Sequence, residues 1–314
     1  MISTKCAICN NHENYKVLYE ENLPKEGVNP HVYAPRRKRD YVHYRLVECN
    51  SCGLVRSNPI IEQTEMIKVY QKSECAYTDE NENIPLAKTY GKYLKNILER
   101  YHVNKEYYLD IGCSNGFMLE KAVELGFKNV VGVEPSKDAI DKAKKSIQDK
   151  IIYDMFHGGL FESEKFDLIS VFQTFDHIIE PNEFLQNVRK ILNEKGFVIA
   201  INHNIGSISY KFLKEKSPII DIGHAYIYDL TTIREIFEKN KFKDEQSKIV
   251  YAYSLSNLAG IYFSEHDYKK SYNLYKKSID LNSEDVLTVA NLGLVSIHLG
   301  KYDEADNYLN MSIK

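Results

Sequence analysis

A turn of small residues between an apolar run and a helical pattern constrains the fold of this chain more than any other feature. The apolar run at residues 107–111 contains Asp110, and the turn that follows is bounded by Gly112 and Gly116. Glycines at such a turn let the backbone approach a ligand closely, and the helix N-terminus behind it favours polar or anionic groups. A second short strand ends in Glu134, an acid well placed to accept hydrogen bonds from a ribose diol. The sequence therefore predicts a nucleotide-type cofactor at the carboxyl edge of a parallel sheet.

The spacing of the glycines distinguishes between the two cofactor classes that such a turn binds. The dinucleotide fingerprint is G-x-G-x-x-G, whereas no glycine lies between Gly112 and Gly116. The stretch resembles motif I of the class I S-adenosylmethionine-dependent methyltransferases, with Ser114 in place of the family's middle glycine. Residues 132–136 and 166–172 resemble the second and fourth strands of the same family. The resemblance implies an α/β, doubly wound, Rossmann-like sheet and S-adenosylmethionine as cofactor.

Hydrophobic periodicity over residues 107–250 predicts strands that alternate with helices, which indicates a doubly wound parallel sheet. Ligands are then expected beyond the carboxyl ends of the strands. After Phe242 a single strand-like piece reaches Tyr251, so the sheet is expected to lack part of the family's antiparallel hairpin. The predicted strands are 107–111, 129–133, 150–154, 166–172 and 196–202, and the predicted helices are 115–125, 136–147, 182–193 and 230–240.

The resemblance also implies cofactor-binding roles for residues at the ends of these strands. For Asp154, a contact with the adenine edge has an equal alternative, a turn residue at the end of a strand. The expected contacts are Asp110, Gly112, Cys113 and Gly116 with the methionine part of the cofactor, Glu134 with the ribose hydroxyls, Pro135 and Asp154 with the adenine, and Gln173 beneath the sulfonium.

Histidines near the same edge are the candidate catalytic residues. Residues 172–181 resemble the segment after the family's fourth strand, where Asp176 replaces the usual glutamate and His177 keeps the histidine. A histidine beside the methyl donor can deprotonate a hydroxyl as its oxygen attacks. Alternatively, His177 only ties the turn together, and catalysis rests on alignment of the methyl group with the nucleophile. The insert at residues 205–222 is expected to cap the acceptor, so His224 is the second catalytic candidate, and His203 and Tyr226 are also expected within reach.

Two Cys-x-x-Cys pairs, Cys6 with Cys9 and Cys49 with Cys52, are separated by 39 residues. Two such turns complete a tetrahedral zinc site, and four sulfur ligands leave no open position, so the zinc is expected to be structural. The alternative is four unrelated buried cysteines. Residues 45–59 resemble the zinc ribbon ahead of bacterial small-molecule methyltransferases, including those that act on nucleotide-linked sugars. The intervening basic run, Arg36–Arg39, is either a solvated loop or a phosphate-binding patch.

Residues 61–106 are predicted to form a helical bridge between the zinc module and the sheet. Apolar spacing near 3.6 predicts helices at 60–70 and 86–101, and the polar stretch 72–85 between them is predicted to be a mobile loop. In the resembling methyltransferases this segment lies over the cofactor. Tyr70 and Tyr77 are therefore candidates for shielding the sulfonium, with ordinary packing as the alternative.

A repeat of 34 residues marks the segment 251–314, where Asn257 recurs as Asn291 and Tyr268 as Tyr302. It resembles two tetratricopeptide repeats, each a helical hairpin. Two repeats are fewer than the three normally needed for independent stability. The module is therefore expected to pack on the catalytic domain, to self-associate or to bind a protein partner.

The composition limits the classes of function. The net charge of -3 and the pI near 6.4 give no general attraction to nucleic acid or anionic membranes. No apolar run approaches 18 residues and no signal-peptide pattern is present, so a cytoplasmic protein without a membrane partner is expected. The sequence thus predicts a zinc module (1–60), a bridge (61–106), a methyltransferase domain (107–250) and repeats (251–314). A small-molecule acceptor, such as a nucleotide-linked sugar, is favoured over RNA and over a non-catalytic scaffold.

Overall fold

The computed structural model describes residues 1–24, 41–72, 80–242, 263, 266–281 and 286–313. The chain divides into two compact units, residues 1–205 with 213–242 and residues 206–212 with 243–314. Four features of the sequence lie outside the described residues: the basic run Arg36–Arg39, Tyr77, the strand-like piece after Phe242, and residues 257–262 of the first repeat. Among the helices in the described part of the chain, none combines the length and apolar character needed to cross a membrane.

The first three strands form an antiparallel meander that carries the two cysteine pairs. These strands are β1 (Tyr15–Tyr19), β2 (Leu46–Cys49) and β3 (Val55–Ser57). Strand β1 pairs with β2, and β2 pairs with β3, so the second cysteine pair begins at the end of a central strand. The knuckle after Cys49 turns through Gly53, which has a left-handed φ of 77° that favours glycine.

Two helices follow the meander, α1 (Gln63–Lys72) and α2 (Glu80–Tyr101). The prediction that residues 80–85 belong to a loop was wrong, because α2 begins six residues before the expected start at Leu86. Pro85 and the polar residues before it indicate a loop, but Pro85 is the sixth residue of α2, and the helix continues for 16 residues beyond it. The proline removes one internal hydrogen bond, and the remaining bonds of a helix of this length compensate for that loss.

Five parallel strands form the central sheet of the first unit, in the order β6-β5-β4-β7-β8. This arrangement confirms the predicted α/β fold with a parallel, Rossmann-like sheet. Every residue of β7 is buried, as expected for a strand covered on both faces. The strands are β4 (Tyr107–Ile111), β5 (Asn129–Glu134), β6 (Ile151–Tyr153), β7 (Phe166–Phe172) and β8 (Leu192–Ile201).

The helices around this sheet agree with the predicted pattern except at residues 136–147. A single helix was expected there, but Lys144 has an extended backbone (φ −62°, ψ 141°) that interrupts the ladder of helical hydrogen bonds. The segment contains no glycine or proline, so the sequence gives no local signal for this break. Beyond α2, the helices of the first unit are α3 (Phe117–Glu124), α4 (Lys137–Asp141), α5 (Lys145–Gln148), α6 (Pro181–Ile191) and α8 (Leu230–Lys239), and α7 (Ile208–Leu213) falls almost entirely in the second unit.

A short ninth strand, β9 (Tyr226–Ile227), joins the zinc module to the catalytic part of the chain. It pairs antiparallel with β3, in the register Val55↔Ile227 and Arg56↔Tyr226. The sheet of the zinc module therefore has four strands in the order β1-β2-β3-β9. Because β9 lies four residues after the segment 205–222, its pairing with β3 fixes the chain just beyond that segment.

Besides α7, the described part of the second unit contains α9 (Tyr268–Leu281), α10 (Val286–His298) and α11 (Tyr302–Ile313). Tyr268 and Tyr302, which occupy the same place in the 34-residue period, each begin a helix. Tyr275, Leu292 and Val295 form a buried core within this second unit. The assignment to tetratricopeptide repeats remains a prediction.

Asp167 fastens the amino-terminal edge of the central sheet. Its Oδ2 accepts hydrogen bonds from the backbone N–H groups of Glu106 (3.1 Å) and Tyr107 (3.0 Å) and from the amide of Asn104 (3.1 Å). Its Oδ1 accepts a hydrogen bond from Asn193 Nδ2 at 2.7 Å. One buried carboxylate at the start of β7 therefore secures the entry to β4 and the start of β8.

We predict that Asp167→Ala lowers the free energy of unfolding by about 2–4 kcal/mol, because it leaves two backbone donors without an acceptor and removes a charge-assisted contact. Urea unfolding followed by circular dichroism measures the change. Glu124→Ala is the matched control, since that side chain is 63% exposed and pairs only with Lys121 among the described residues. Equal unfolding midpoints for the two variants would contradict the role assigned to Asp167.

Candidate functional site

The glycine turn after β4 adopts a backbone that few other residues tolerate. Gly112, Ser114 and Gly116 have φ values of 76°, 52° and 76°. A Cβ atom at Gly112 would lie 2.3 Å from Thr174 Oγ1, so a larger residue would collide with the segment after β7. The backbone N–H of Gly112 donates to the carbonyl of Val133 at 2.8 Å. The turn therefore lies in close contact with the carboxyl ends of β5 and β7, where the sequence predicts the cofactor.

Glu134, at the end of β5, fastens this turn through both of its carboxylate oxygens. Oε2 accepts the backbone N–H of Ser114 and Oε1 accepts that of Ser136, each at 2.8 Å. Burial raises the pKa of Glu134 to about 7, although the two hydrogen bonds act in the opposite direction. Each oxygen keeps a further lone pair, so the predicted contact with ribose hydroxyls is compatible with these bonds.

Asp110 ends a buried hydrogen-bond chain that crosses from β4 to β7 and back. The hydroxyl of Tyr108 lies 2.6 Å from Ser170 Oγ, and Ser170 Oγ donates to Asp110 Oδ1 at 2.6 Å. Burial raises the pKa of Asp110 to about 7, opposed by the bond from Ser170 and reinforced by the charge of Glu134. Two carboxyl groups beside the turn therefore change protonation state near neutral pH.

Several polar atoms at this edge are buried and have no hydrogen-bond partner among the described residues. They are Asn115 Oδ1, Gln173 Oε1 and both amide atoms of Asn202. Gln173 has a φ of 51°, an uncommon conformation for a residue with a side chain. Because buried polar groups in proteins are nearly always paired, these atoms fit a polar ligand at the turn. The donor set is thus compatible with S-adenosylmethionine.

The other predicted cofactor residues differ in their surroundings. Cys113 is buried within the turn, and burial raises the pKa of its thiol well above the usual value. Pro135 is half-buried directly after Glu134. Asp154 is exposed, and its Oδ1 accepts the backbone N–H of Met155 at 2.7 Å. That contact is the one expected of a turn residue, so a role for Asp154 at the adenine remains a prediction.

The carboxylate of Asp176, fully buried in the turn after β7, lies beside three imidazole rings. His203 Nδ1 is 2.6 Å from Oδ2, His224 Nε2 is 3.6 Å from Oδ2, and His177 Nε2 is 3.8 Å from Oδ1. The His224 ring lies between the other two, with centroid distances of 4.8 Å to His177 and 4.6 Å to His203. The fold therefore brings together the three histidines that the sequence singled out.

The charges in this cluster follow from its burial and its contacts. Burial alone would raise the pKa of Asp176, but the imidazoles of His224, His203 and His177 hold that pKa well below the usual range. Burial also lowers the pKa of His203, but the hydrogen bond to Asp176 outweighs this effect and raises the pKa above its usual value. Burial lowers the pKa of His224 to about 4. At neutral pH the cluster therefore contains an ionised Asp176 and a neutral His224.

Of the two histidines predicted to be catalytic, His177 is the more accessible, at 27% side-chain exposure against 4% for His224. Its Nδ1 lies 2.8 Å from the hydroxyl of Tyr70 on α1. Burial, together with the charges of Asp221 and Asp176, raises the pKa of Tyr70 well above its usual value, so its hydroxyl keeps its proton. Gly223 leaves room for the ring, since a Cβ atom there would lie 2.9 Å from His177 Nδ1.

His224 is fixed through both its ring and its backbone. Its Nδ1 donates to the carbonyl of Ile219 at 2.9 Å, which leaves Nε2 as the unprotonated nitrogen of the neutral ring. Ser57 of β3 donates its hydroxyl to the carbonyl of His224 at 2.7 Å. Tyr226, expected to reach the acceptor, instead donates its hydroxyl to the carbonyl of Lys5 at 2.9 Å. No pattern in the sequence indicates these contacts of β3 and Lys5 with the segment that carries His224 and Tyr226.

The four cysteines of the two knuckles converge as predicted. Cys6 Sγ lies 3.4 Å from Cys52 Sγ, and Cys9 Sγ lies 3.5 Å from Cys49 Sγ, far longer than a disulfide bond. All four sulfur atoms lie within 4.8 Å of one another, which suits tetrahedral coordination of zinc. Burial raises the pKa of Cys49, but backbone N–H groups from Ser51 and Cys52 outweigh it and lower the pKa to about 7. A thiolate at Cys49 is thus available near neutral pH.

Known proteins resemble this chain mainly in the central sheet. A family model described as "Methyltransferase domain" matches residues 85–247, just over half of the chain. The ubiquinone biosynthesis O-methyltransferase of Bartonella tribocorum is 34% identical over 101 residues, which cover 30% of this chain and 40% of that protein. The tRNA U34 carboxymethyltransferase of Nautilia profundicola is 24% identical over 250 residues, which cover 74% of this chain and 77% of that protein.

The similarity is partial in both sequence and structure. This chain spans about a third to a half of the length of several ubiquinone-type relatives that it matches. The plantazolicin methyltransferase BpumL, solved with S-adenosylhomocysteine and a substrate analogue, has a TM-score of 0.45 and 21% identity over 58% of this chain and 71% of that one. The match of the family model extends from α2 through the glycine turn and the Asp176 cluster to residue 247. The chain therefore belongs to the methyltransferase domain family.

Proposed function

We propose that this protein transfers a methyl group from S-adenosylmethionine to a hydroxyl of a small-molecule acceptor. The observation that carries the proposal is the buried Asp176 with its three histidines, because a hydroxyl nucleophile must lose a proton and this cluster is built to receive one. The cluster lies at the ends of β7 and β8, next to the glycine turn between β4 and α3. Small-molecule O-methyltransferases among the relatives support the choice of oxygen as nucleophile.

The donor side consists of the turn and the acids at the ends of β4 and β5. We assign Asp110, Gly112, Cys113 and Gly116 to the methionine part of the cofactor. Glu134 and Pro135 are assigned to the ribose and adenine, and the unpaired Oε1 of Gln173 faces a polar group of the ligand. When bound, S-adenosylmethionine supplies a methyl group on a positively charged sulfur.

On the acceptor side, Tyr70 and His177 are proposed to form a proton relay. The protonated hydroxyl of Tyr70 donates to His177 Nδ1, so its oxygen is able to accept the proton of an acceptor hydroxyl. As that proton arrives, the tyrosine proton passes to Nδ1, and the imidazolium formed is stabilised by Asp176. Tyr70 is regenerated in the same step. His224 is too buried to touch the acceptor and acts as a positioning residue between His177 and His203.

The acceptor class that we propose to test first is the nucleotide-linked sugar. Its support is the zinc ribbon, whose residues 45–59 resemble those of enzymes that act on such sugars. A second candidate is RNA, which is favoured by the similarity to the tRNA U34 carboxymethyltransferase over 74% of this chain. The two acceptors are distinguished by incubating the protein with tritiated S-adenosylmethionine and either UDP- and dTDP-linked sugars or bulk tRNA. Label in tRNA alone, with binding that falls steeply as salt rises, would overturn the small-molecule proposal.

A structural zinc ion at Cys6, Cys9, Cys49 and Cys52 completes the proposal. We expect about one equivalent of zinc per chain. Asp176, His177 and His224 also bring three potential ligand atoms within 4.8 Å. A second equivalent of metal that disappears in His177→Gln would therefore assign a metal to the cluster and contradict the proton relay.

We predict that affinity for S-adenosylmethionine rises with pH and levels off above about pH 7. Burial raises the pKa values of Asp110 and Glu134 to about 7, so the apo protein holds protons there below that pH. A cationic ligand favours the ionised carboxylates, and each proton released strengthens binding about tenfold per pH unit below the pKa. Calorimetry between about pH 5.5 and about pH 8 measures this dependence.

Asp110→Asn tests the assignment of this dependence. The amide removes one titrating group, so the slope of affinity against pH is expected to decrease along with the affinity itself. S-adenosylhomocysteine, which lacks the sulfonium charge, is the matched ligand and is expected to show a weaker dependence. Affinity that is independent of pH in the wild-type protein would contradict the roles of both acids.

Removal of the proton relay is expected to reduce turnover without affecting the cofactor. We predict that Tyr70→Phe and His177→Gln each lower kcat by about 10²–10⁴-fold, the usual contribution of a positioned acid–base group. The dissociation constant for S-adenosylmethionine is expected to stay within error, since neither residue belongs to the donor side. Turnover with the labelled sugar acceptors measures kcat, and calorimetry measures binding.

The double variant Tyr70→Phe with His177→Gln tests whether the two residues act in the same proton transfer. Because both residues act in the same proton transfer, the double variant is expected to be no slower than the more impaired single variant. Multiplicative losses would show that Tyr70 and His177 act independently, which contradicts the relay.

A further inference from the structure

Arg56, in the middle of β3, is a charged residue buried without a counter-ion in the part of the chain that the structure describes. Its exposure is 1%, and Nη2 donates to the carbonyl of His12 at 3.1 Å. Nε and Nη1 are also buried, and neither has a hydrogen-bond partner among the described residues. No carboxylate of the described residues lies within ion-pair distance of it. An isolated charge is costly to bury, so the surroundings of Arg56 call for an anion.

The strand register places Arg56 beside the second cysteine knuckle. Tyr15 of β1 is opposite Cys49, and Val47, two residues before Cys49 on β2, is opposite Arg56. Side chains of paired residues share a face, as do residues two apart on one strand, so Cys49 and Arg56 occupy the same face as diagonal neighbours. The guanidinium lies 5.3 Å from the centroid of the Tyr15 ring, which is on the knuckle side of Arg56.

The other neighbour of Arg56 leads to the first knuckle. Tyr226 of β9 is opposite Arg56 and shares its face. The hydroxyl of Tyr226 donates to the carbonyl of Lys5, the residue before Cys6. Arg56 thus lies between β2, which ends at Cys49, and Tyr226, whose hydroxyl contacts the residue before Cys6.

Four thiolates around Zn²⁺ carry a formal net charge of −2, and they are the anions that this face of the sheet presents when metal is bound. We propose that Arg56 is the counter-charge of the zinc–thiolate centre. This inference rests on the proposed zinc site. A counter-charge role accounts for an arginine with two unpaired nitrogens in the interior of a small sheet. An apolar residue there would cost less free energy to bury.

The charge pair also connects the metal to the acceptor side of the catalytic site. Ser57, the residue after Arg56, donates its backbone N–H to the carbonyl of Ala225 at 3.0 Å and its hydroxyl to the carbonyl of His224 at 2.7 Å. The backbone N–H of Ala225 in turn donates to the carbonyl of Asp176 at 2.8 Å. Zinc therefore holds the strand that positions His224 and the turn that carries Asp176.

A counter-charge differs from a packing residue in how its replacement changes the stabilities of the zinc-loaded and zinc-free protein. When zinc is bound, Arg56 is paired and stabilises the protein. When zinc is removed, the four-thiolate centre and its charge of −2 are lost, so the same guanidinium is buried with less negative charge nearby and destabilises the protein. Replacement of Arg56 by an apolar residue of similar length therefore shifts the stability of the two forms in opposite directions.

The test uses the full chain, zinc-loaded and zinc-free, the latter prepared with a chelator under reducing conditions. Arg56→Met is expected to weaken zinc binding about 10–100-fold, as does loss of other groups that support metal ligands. It should lower the melting temperature of the zinc-loaded protein and raise that of the zinc-free protein. Arg56→Lys, which keeps the charge, should retain most of the affinity. Zinc affinity is measured by competition with a chromophoric chelator, and Co²⁺ thiolate absorbance checks that the four sulfur ligands remain.

Arg45→Met is the matched control, because Arg45 lies in the same module and its Nε donates to the carbonyl of Asn58 at 2.8 Å. Its replacement should lower both melting temperatures and leave zinc affinity unchanged. Equal losses of stability in both forms of Arg56→Met, or unchanged zinc affinity, would overturn the counter-charge while leaving the zinc site intact. A wild-type protein that binds neither Zn²⁺ nor Co²⁺ would overturn both.

Discussion

The buried negative charge of Asp176 is the constraint around which the acceptor side is arranged. A carboxylate with no exposure to water is stable only if its surroundings supply positive charge or hydrogen-bond donors. Here three imidazoles from separate segments surround the carboxylate: His203, at 2.6 Å, forms a charge-assisted hydrogen bond, whereas His224 is neutral at neutral pH and packs between His203 and His177. Because each ring must remain within reach of one carboxylate, the turn after β7, the end of β8 and the segment before β9 are fixed relative to one another. Chemistry at this edge depends on that electrostatic requirement more than on any single histidine.

The four-stranded sheet that contains Cys49 also fixes the position of the segment that carries His224. Its strand β3 pairs with β9, and the Ser57 hydroxyl holds the carbonyl of His224. Without this pairing, the segment that carries His224 would be a loop, and a loop residue samples more conformations than an edge strand permits. The four-stranded sheet therefore supports the segment that carries His224.

The parts of the fold that depend on local sequence were predictable, and the parts that depend on distant contacts were not. The strands of the central sheet and the glycine turn 112–116 follow from apolar periodicity and from residues that tolerate a left-handed backbone. The break at Lys144 has no local signal. The contact of Tyr70 with His177 joins residues 107 positions apart, and no pattern in one sequence reveals it. In the sequence Asp176 is only a replacement for a glutamate, because its contacts with the three rings depend on residues that are distant along the chain.

The pKa values of the carboxyl groups are raised on the proposed donor side and lowered on the proposed acceptor side, and this difference suits the proposed reaction. Burial holds Asp110 and Glu134 near the pH at which they gain or lose a proton, with pKa values of about 7. Imidazoles hold Asp176 ionised, with a pKa well below the usual range. Methyl transfer from a cation to a neutral hydroxyl removes positive charge from the donor side and delivers a proton to the acceptor side. Asp110 and Glu134 can take up protons when the donor side loses its positive charge. Asp176, which stays ionised, stabilises the proton that arrives on His177. Carboxyl groups thus serve both halves of the site, because burial raises the pKa values of Asp110 and Glu134 and imidazoles lower that of Asp176.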